Sequence, residues 1–131
     1  MIQTLDALRR GDLAGARELR LRERLTEFPR EIFDLAETLE VLDLSDAGLT
    51  SLPDDLGRLH KLRVLFCSDN RFTTLPESIG QCSNPDIVGF KANSIANVPA
   101  AALPASLRWL ILTNNQIEEL PDTLGHCTRM Q

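Results

Sequence analysis

The side chains here whose types could do chemistry are two histidines, three cysteines and several adjacent carboxylates. His60 and His126 fall in equivalent phrases, LGRLH and LGHCT, far apart in the sequence. If those phrases are equivalent parts of stacked units, the two rings share no metal and serve no common nucleophile. Asp54 with Asp55, and Glu118 with Glu119, are sequence neighbours and read as solvated loop charge. The sequence has no Gly-x-Ser-x-Gly, Walker loop, HExxH or CxxC, so no catalytic residue, metal ligand or cofactor is expected. Cys67, Cys82 and Cys127 stand where sister phrases carry Leu, and an odd count without clustering is no disulfide framework. They read as buried thiols. Cys82 and Cys127 are two units apart, roughly 10 Å at about 4.8 Å per strand, beyond disulfide reach.

The elements that place these residues come from one repeated phrase. Leu62 to Pro76 reads LRVLFCSDNRFTTLP, with LEVLDLSDAGLTSLP upstream from Leu39 and PDIVGFKANSIANVP and LRWLILTNNQIEELP downstream from Pro85 and Leu107. The starts at 39, 62, 85 and 107 give steps of 23, 23 and 22. A period of this length carrying L-x-x-L-x-L-x-x-N-x-L is the leucine-rich-repeat signature. Each unit contributes a short strand, a turn and a return segment, and its apolar face stays half exposed until another coil stacks on it. The expected class is therefore α/β: a stack of coils, each giving one short strand, with short helical or 3₁₀ pieces behind.

Period-two alternation puts Leu65 and Cys67 inside and Val64, Phe66 and Ser68 outside. Asn70, Asn93 and Asn115 fall at the ninth position, where a side-chain amide can bond backbone groups of its own and the next coil. Ala47 takes that place in the first full unit, so this Asn spine should begin at Asn70. The return segments LPDDLGRLH, LPESIGQCS and LPDTLGHCT have Pro just inside a short helical turn with acids beside it, which suits a helix start. Leu56 with Leu59, Ile79 with Cys82, and Leu124 with Cys127 should face inward. The third return segment, VPAAALPASL, adds Pro104 and loses the glycine, so it should be less regular.

A single domain spanning 1–131 divides into a capping helix and atypical repeat (1–38), repeats at 39–61, 62–84, 85–106 and 107–129, and the start of a truncated repeat at 130–131. Thr4 to Gly11 has a capping Thr, late arginines and a glycine stop, which predicts a short helix over the open end of the stack. Leu19, Leu21, Leu25, Phe28, Ile32 and Leu35 then trace a degraded repeat. Arg20 and Arg22 lie on its outer strand face, and a cross-strand pair between Arg20 and Asp43 is expected rather than a basic patch. Residues 1–35 hold seven arginines and seven acids, so the net charge of −5 comes from the remainder.

Adding 23 to Leu107 gives Met130, where a further unit would begin. No polar cap follows. The last coil should therefore leave Leu110, Leu112 and Ile117 partly exposed beside an unpaired strand edge. Either the chain is a fragment of a longer protein, or this end pairs with something, self-association included.

Residues 39–127, and more loosely 16–131, resemble bacterial and intracellular leucine-rich-repeat proteins of the LPxxLGxL type. The run DLGRLHKLRVLFCSDNRFTTLPESIG, with VGFKANSI and LRWLILTNNQIEELP after it, is similar to the N-terminal repeat region of bacterial leucine-rich-repeat protein kinases. The resemblance implies a curved right-handed solenoid with a parallel sheet on its concave face, used for protein recognition, with a kinase domain downstream of Gln131 in a parent protein. The kinase's own motifs are missing from this sequence.

A partner should meet the outward strand columns, which can vary without damaging the core. One column reads Val41, Val64, Ile87 and Trp109; two residues further along it reads Asp43, Phe66, Gly89 and Ile111. Together Val64, Phe66, Ile87, Trp109 and Ile111 predict an apolar patch containing the only Trp, rimmed by Ser45, Ser68, Lys91 and Thr113 with Asp46, Asp69 and Asn114, and a notch at Gly89 for a partner's side chain. The acidic balance and pI near 5.0 argue against nucleic acid and anionic membrane. No segment approaches 18 apolar residues, and no signal-peptide core leads the chain. A cytoplasmic protein-binding module is the expectation, with recognition arm of a larger kinase or ligase as the alternative.

Overall fold

The structure, a computed structural model, describes residues 3–118 and the strand at 129–130. The return segment after Glu118, with Leu124, His126 and Cys127, lies outside the described residues.

Among the described residues one helix, α1 (Leu5–Arg9), precedes six strands: β1 (Glu18–Arg20), β2 (Val41–Asp43), β3 (Val64–Phe66), β4 (Ile87–Gly89), β5 (Trp109–Ile111) and β6 (Arg129–Met130). They form one parallel sheet in chain order, β1 to β6. Glu18, Val41, Val64, Ile87 and Trp109 stand opposite one another, the register that steps of 23, 23, 23 and 22 dictate. Between strands the chain returns through 3₁₀ segments at Arg30–Leu35, Leu56–Arg58, Glu77–Gln81 and Ala100–Ala102.

The core is a single file of inward side chains between the sheet and these returns. Leu19, Leu42, Leu65, Val88 and Leu110 are fully or almost fully buried. Behind them lie the return residues Ile32, Leu56, Leu59, Ile79 and Cys82. Phe72 and Phe90 meet edge to face at 5.0 Å inside the turn layer, a favoured aromatic geometry. The glycine of the LPxxLG phrase follows from how closely the returns stack. A Cβ on Gly80 would lie 1.7 Å from the Ala101 carbonyl oxygen, and one on Gly57 2.8 Å from that of Gln81. The third return presents Ala101 as the surface against which Gly80 packs.

The spine is present, and it ties each coil to the one before it rather than the one after. Asn70 Oδ1 accepts from Ala47 N (3.0 Å) and Leu49 N (2.9 Å), while Nδ2 donates to the carbonyls of Leu44 and Cys67, each at 3.0 Å. Asn93 donates to Cys67 O and accepts from Phe72 N; Asn115 donates to Phe90 O and accepts from the amides of Asn93 and Ile95. The direction follows from the turn. Asp46, Asp69, Ala92 and Asn114, one residue before each ninth position, have φ of 54°, 56°, 57° and 58°, and this left-handed step aims the following side chain back at the previous coil.

At the N-terminal end, Thr4 caps α1 by accepting from Ala7 N at 3.1 Å, and Gly11 follows with φ 79°. Gln3 also guards the sheet edge. Its carboxamide donates to Glu18 O (2.8 Å) and accepts from Arg20 N (2.7 Å), satisfying two groups that an edge strand leaves open. At the other end the expectation fails. β6 pairs with β5, Trp109 opposite Arg129 and Leu110 opposite Met130, a step of 20 residues rather than 23. Met130 therefore occupies the fourth position of a unit, not the first. Leu110 is fully buried, Leu112 is 7% exposed and only Ile117 is partly buried, because β6 lies along the edge that was expected to be open.

Candidate concave interface

Short strands with one face packed on the core display the other as fixed columns. In the column through Val41, Val64, Ile87 and Trp109 every side chain is half-buried, as are Phe66 and Ile111 in the neighbouring column. The register places these six apolar groups side by side across four strands. Ser68 is half-buried at the margin, and Lys91 and Thr113 are exposed.

Three expected features of this face change. Asp43 is 3% exposed and Ser45 7%, so neither is an open rim group. Asp43 Oδ2 accepts from Arg20 Nη1 at 3.2 Å and Arg22 Nη2 at 3.0 Å, and Oδ1 accepts from Ser45 N at 3.0 Å; the arginines cover it. The expected Arg20 pair exists, and Arg22 joins it. Gly89 is buried rather than an open notch. A Cβ there would stand 2.7 Å from Phe66 Cδ1 and 3.7 Å from Ile111 Cδ1, so the protein's own Phe66 already fills the gap.

A charge ladder that the strand reading overlooked borders the patch. Arg17, Glu40, Arg63, Asp86 and Arg108, each at the second position of its unit, alternate in sign across the sheet. Successive contacts run at 3.9 Å from Arg17 to Glu40, Glu40 to Arg63 and Arg63 to Asp86, and close to 2.5 Å from Asp86 to Arg108. The Arg108 guanidinium holds the Asp86 carboxyl below its ordinary range. The signal was in the sequence, at the same steps as the leucines. A groove of about 490 Å³ beside the ladder is lined by Glu40, Lys61, Arg63, Asn84, Asp86 and Ser106.

On the convex side, Arg30 forks onto Asp55 at 2.8 and 2.7 Å. The guanidiniums of Arg30 and Arg58 lie 4.7 and 4.5 Å from the centre of the Phe33 ring, a cation–π arrangement. The Arg30 bonds pull the Asp55 carboxyl down to about 2.

The other chemical candidates are dispersed. His60 is exposed, its Nε2 3.2 Å from Glu37 Oε1. Cys67 and Cys82 are free and buried. Burial, with the Asp43 carboxylate second, pushes the Cys67 thiol up, and burial pushes Cys82 up to about 11, so both stay protonated and poorly nucleophilic at neutral pH. Among the described residues no three His, Cys, Asp or Glu groups are placed to hold a metal, and no helix is long and apolar enough to cross a membrane.

Comparison with known proteins bears on the repeat itself. The profile described as Leucine Rich Repeat matches residues 38–59, 61–82 and 106–127, half of the chain. A leucine-rich-repeat protein of Leptospira interrogans superposes with a TM-score of 0.72 at 22% identity, over 100% of this chain and 40% of that one. The plant peptide hormone receptor RGFR1, solved in complex with RGF2, gives 0.70 at 26% identity over 96% of this chain and 21% of the receptor. The chain thus spans less than half the length of either protein. No curated protein matches it in sequence. These likenesses establish the repeat and its fold; they do not reach the LPxxLGxL subtype or the kinase association.

Proposed function

Because this chain belongs to the leucine-rich-repeat family, we propose that it is a non-enzymatic recognition module that docks a protein partner on its concave sheet. Proteins built from this repeat generally serve protein–protein interaction. The observation that carries the reading is the patch of Val41, Val64, Phe66, Ile87, Trp109 and Ile111, half-exposed and held in register by the sheet. Apolar side chains around an aromatic anchor, with a polar margin, are what an interface core requires. Gly89 serves as its floor, with Ser68, Lys91 and Thr113 as its rim.

The sheet register helps: it sets the contact residues side by side before a partner arrives, which lowers the ordering cost of docking. We place the protein in the cytoplasm, a reading supported by two buried thiols kept free, the usual state in a reducing compartment. The test is a pull-down with wild type and with Phe66→Ser combined with Trp109→Ser, both confirmed folded by circular dichroism. A partner retained by wild type and lost by the double variant is expected; equal recovery would remove the concave sheet as the binding surface.

A further inference from the structure

The reading of the concave sheet as a docking surface can be taken further, because the charges beside the patch bear on what docks there. One buried carboxylate, Asp43, fixes two guanidiniums through a single oxygen, Oδ2. Glu18 also approaches Arg20, Nε to Oε2 at 3.6 Å. Arg22 has its bond to Asp43 through Nη2 and a side chain 57% exposed, which leaves most of its five N–H donors facing solvent.

The row that contains Arg22 continues through Ser45, Ser68, Lys91 and Thr113. It holds two cations and no carboxylate. The exposed carboxylates of Asp46 and Asp69 stand one residue beyond it, where the N–H groups of both still bond the next coil at Ser68 O and Lys91 O. Next to this row stand Phe66 and Ile111. A guanidinium already oriented by a buried acid thus stands at one end of an apolar strip, and planar bidentate recognition of carboxylate is what Arg does best.

We propose that the partner presents an extended segment in which one acidic side chain seats on Arg22, beside Arg20, and an apolar side chain lies on Phe66. From Arg22 to Phe66 is two strand spacings across and two residues along, roughly 12 Å, and an extended chain covers about 3.3 Å per residue. The acidic and apolar residues are therefore about three to four positions apart. A further apolar residue reaches Trp109. The net charge of −5 on this chain opposes a uniformly acidic partner at long range, which favours a single carboxylate in an otherwise neutral segment.

A random-sequence peptide library displayed against the full chain tests this. Selected peptides should share Asp or Glu about three to four positions from a large apolar residue. The same selection on Arg20→Gln/Arg22→Gln/Asp43→Asn, which removes the charges together and orphans no buried carboxylate, should lose the acid and keep the apolar residue. Apolar enrichment without an acid, or an acid retained equally by the neutral variant, overturns the inference and leaves the concave reading standing. Peptides that bind Phe66→Ser/Trp109→Ser as well as wild type, or no enrichment at all, overturn both.

A second measurement leaves Asp43 untouched. Arg22→Gln and an acid-to-amide change in the best selected peptide should each weaken binding roughly tenfold, and the two together little more, as a coupled pair requires. Additive losses would show that the two groups do not meet.

Discussion

The Phe66 ring lies where a side chain on Gly89 would begin: a Cβ there would stand 2.7 Å from Cδ1 and 3.1 Å from Cε1. Glycine on β4 is what lets an aromatic on β3 lie over it, and the shape of the apolar patch depends on it. Gly89→Ala should fold, because the atoms in conflict belong to a half-exposed ring that can rotate, and because Ala suits a strand better than Gly by roughly 0.5–1 kcal/mol. The ring would be tipped outward. Thermal melting within a few degrees of wild type, with partner binding weakened about tenfold, is the expected pair of results; undiminished binding would detach Phe66 from the interface.

The spine makes a graded prediction. Asn70 is 8% exposed and its amide bonds the turn from both sides, whereas Asn93 and Asn115 are only half-buried. Removing the more buried amide orphans more backbone groups, so Asn70→Ala should cost about 3 kcal/mol and Asn93→Ala about 1–2 kcal/mol. Urea unfolding of the two variants checks the order.

Ala92 occupies a left-handed step, φ 57°, that other units fill with Asp46, Asp69 and Asn114. A residue with a Cβ and no short polar side chain is strained there by roughly 1 kcal/mol. Ala92→Asn or Ala92→Gly should raise stability by about 0.5–1 kcal/mol, read as a higher melting temperature. A lower one would contradict the backbone angle.

Acid should loosen the convex face before it unfolds the chain. Asp55 is depressed from 3.8 to about 2 by its hydrogen bonds to Arg30, so its contribution is complete above pH 4 and disappears as pH falls toward 2. Asp86 shifts in the same direction, through Arg108. The melting-temperature gap between wild type and Asp55→Asn should narrow across that window, and salt should narrow it at neutral pH because the pair is exposed.

Ser78 Oγ is buried without a hydrogen-bond partner. A hydroxyl hidden from water in this way is destabilising. Ser78→Ala should leave the fold intact and raise stability by about 1 kcal/mol, measured by the same unfolding series. A loss would reveal a role for the hydroxyl beyond packing.

The sequence by itself determined the register. Leucines recurring at steps of 23 and 22 bring each of β2 to β5 beside its equivalent strand, since a slip of one residue would turn the apolar side chains to water. That periodicity placed Val64 beside Ile87 and Asn70 at the turn, and it carried the ladder from Arg17 to Arg108. Tertiary structure alone decided matters that depend on how far a side chain reaches across coils. Two arginines converging on Asp43 made an outward position a buried one, Phe66 filled the space at Gly89, and Gln3 used its amide as a piece of strand. A linear period fixes which residues are neighbours; which neighbour a flexible side chain chooses is set by distances of a few ångströms that appear only once the coils are stacked. The step of 20 from β5 to β6 likewise belongs to the stacked structure, since the repeat spacing pointed to 23.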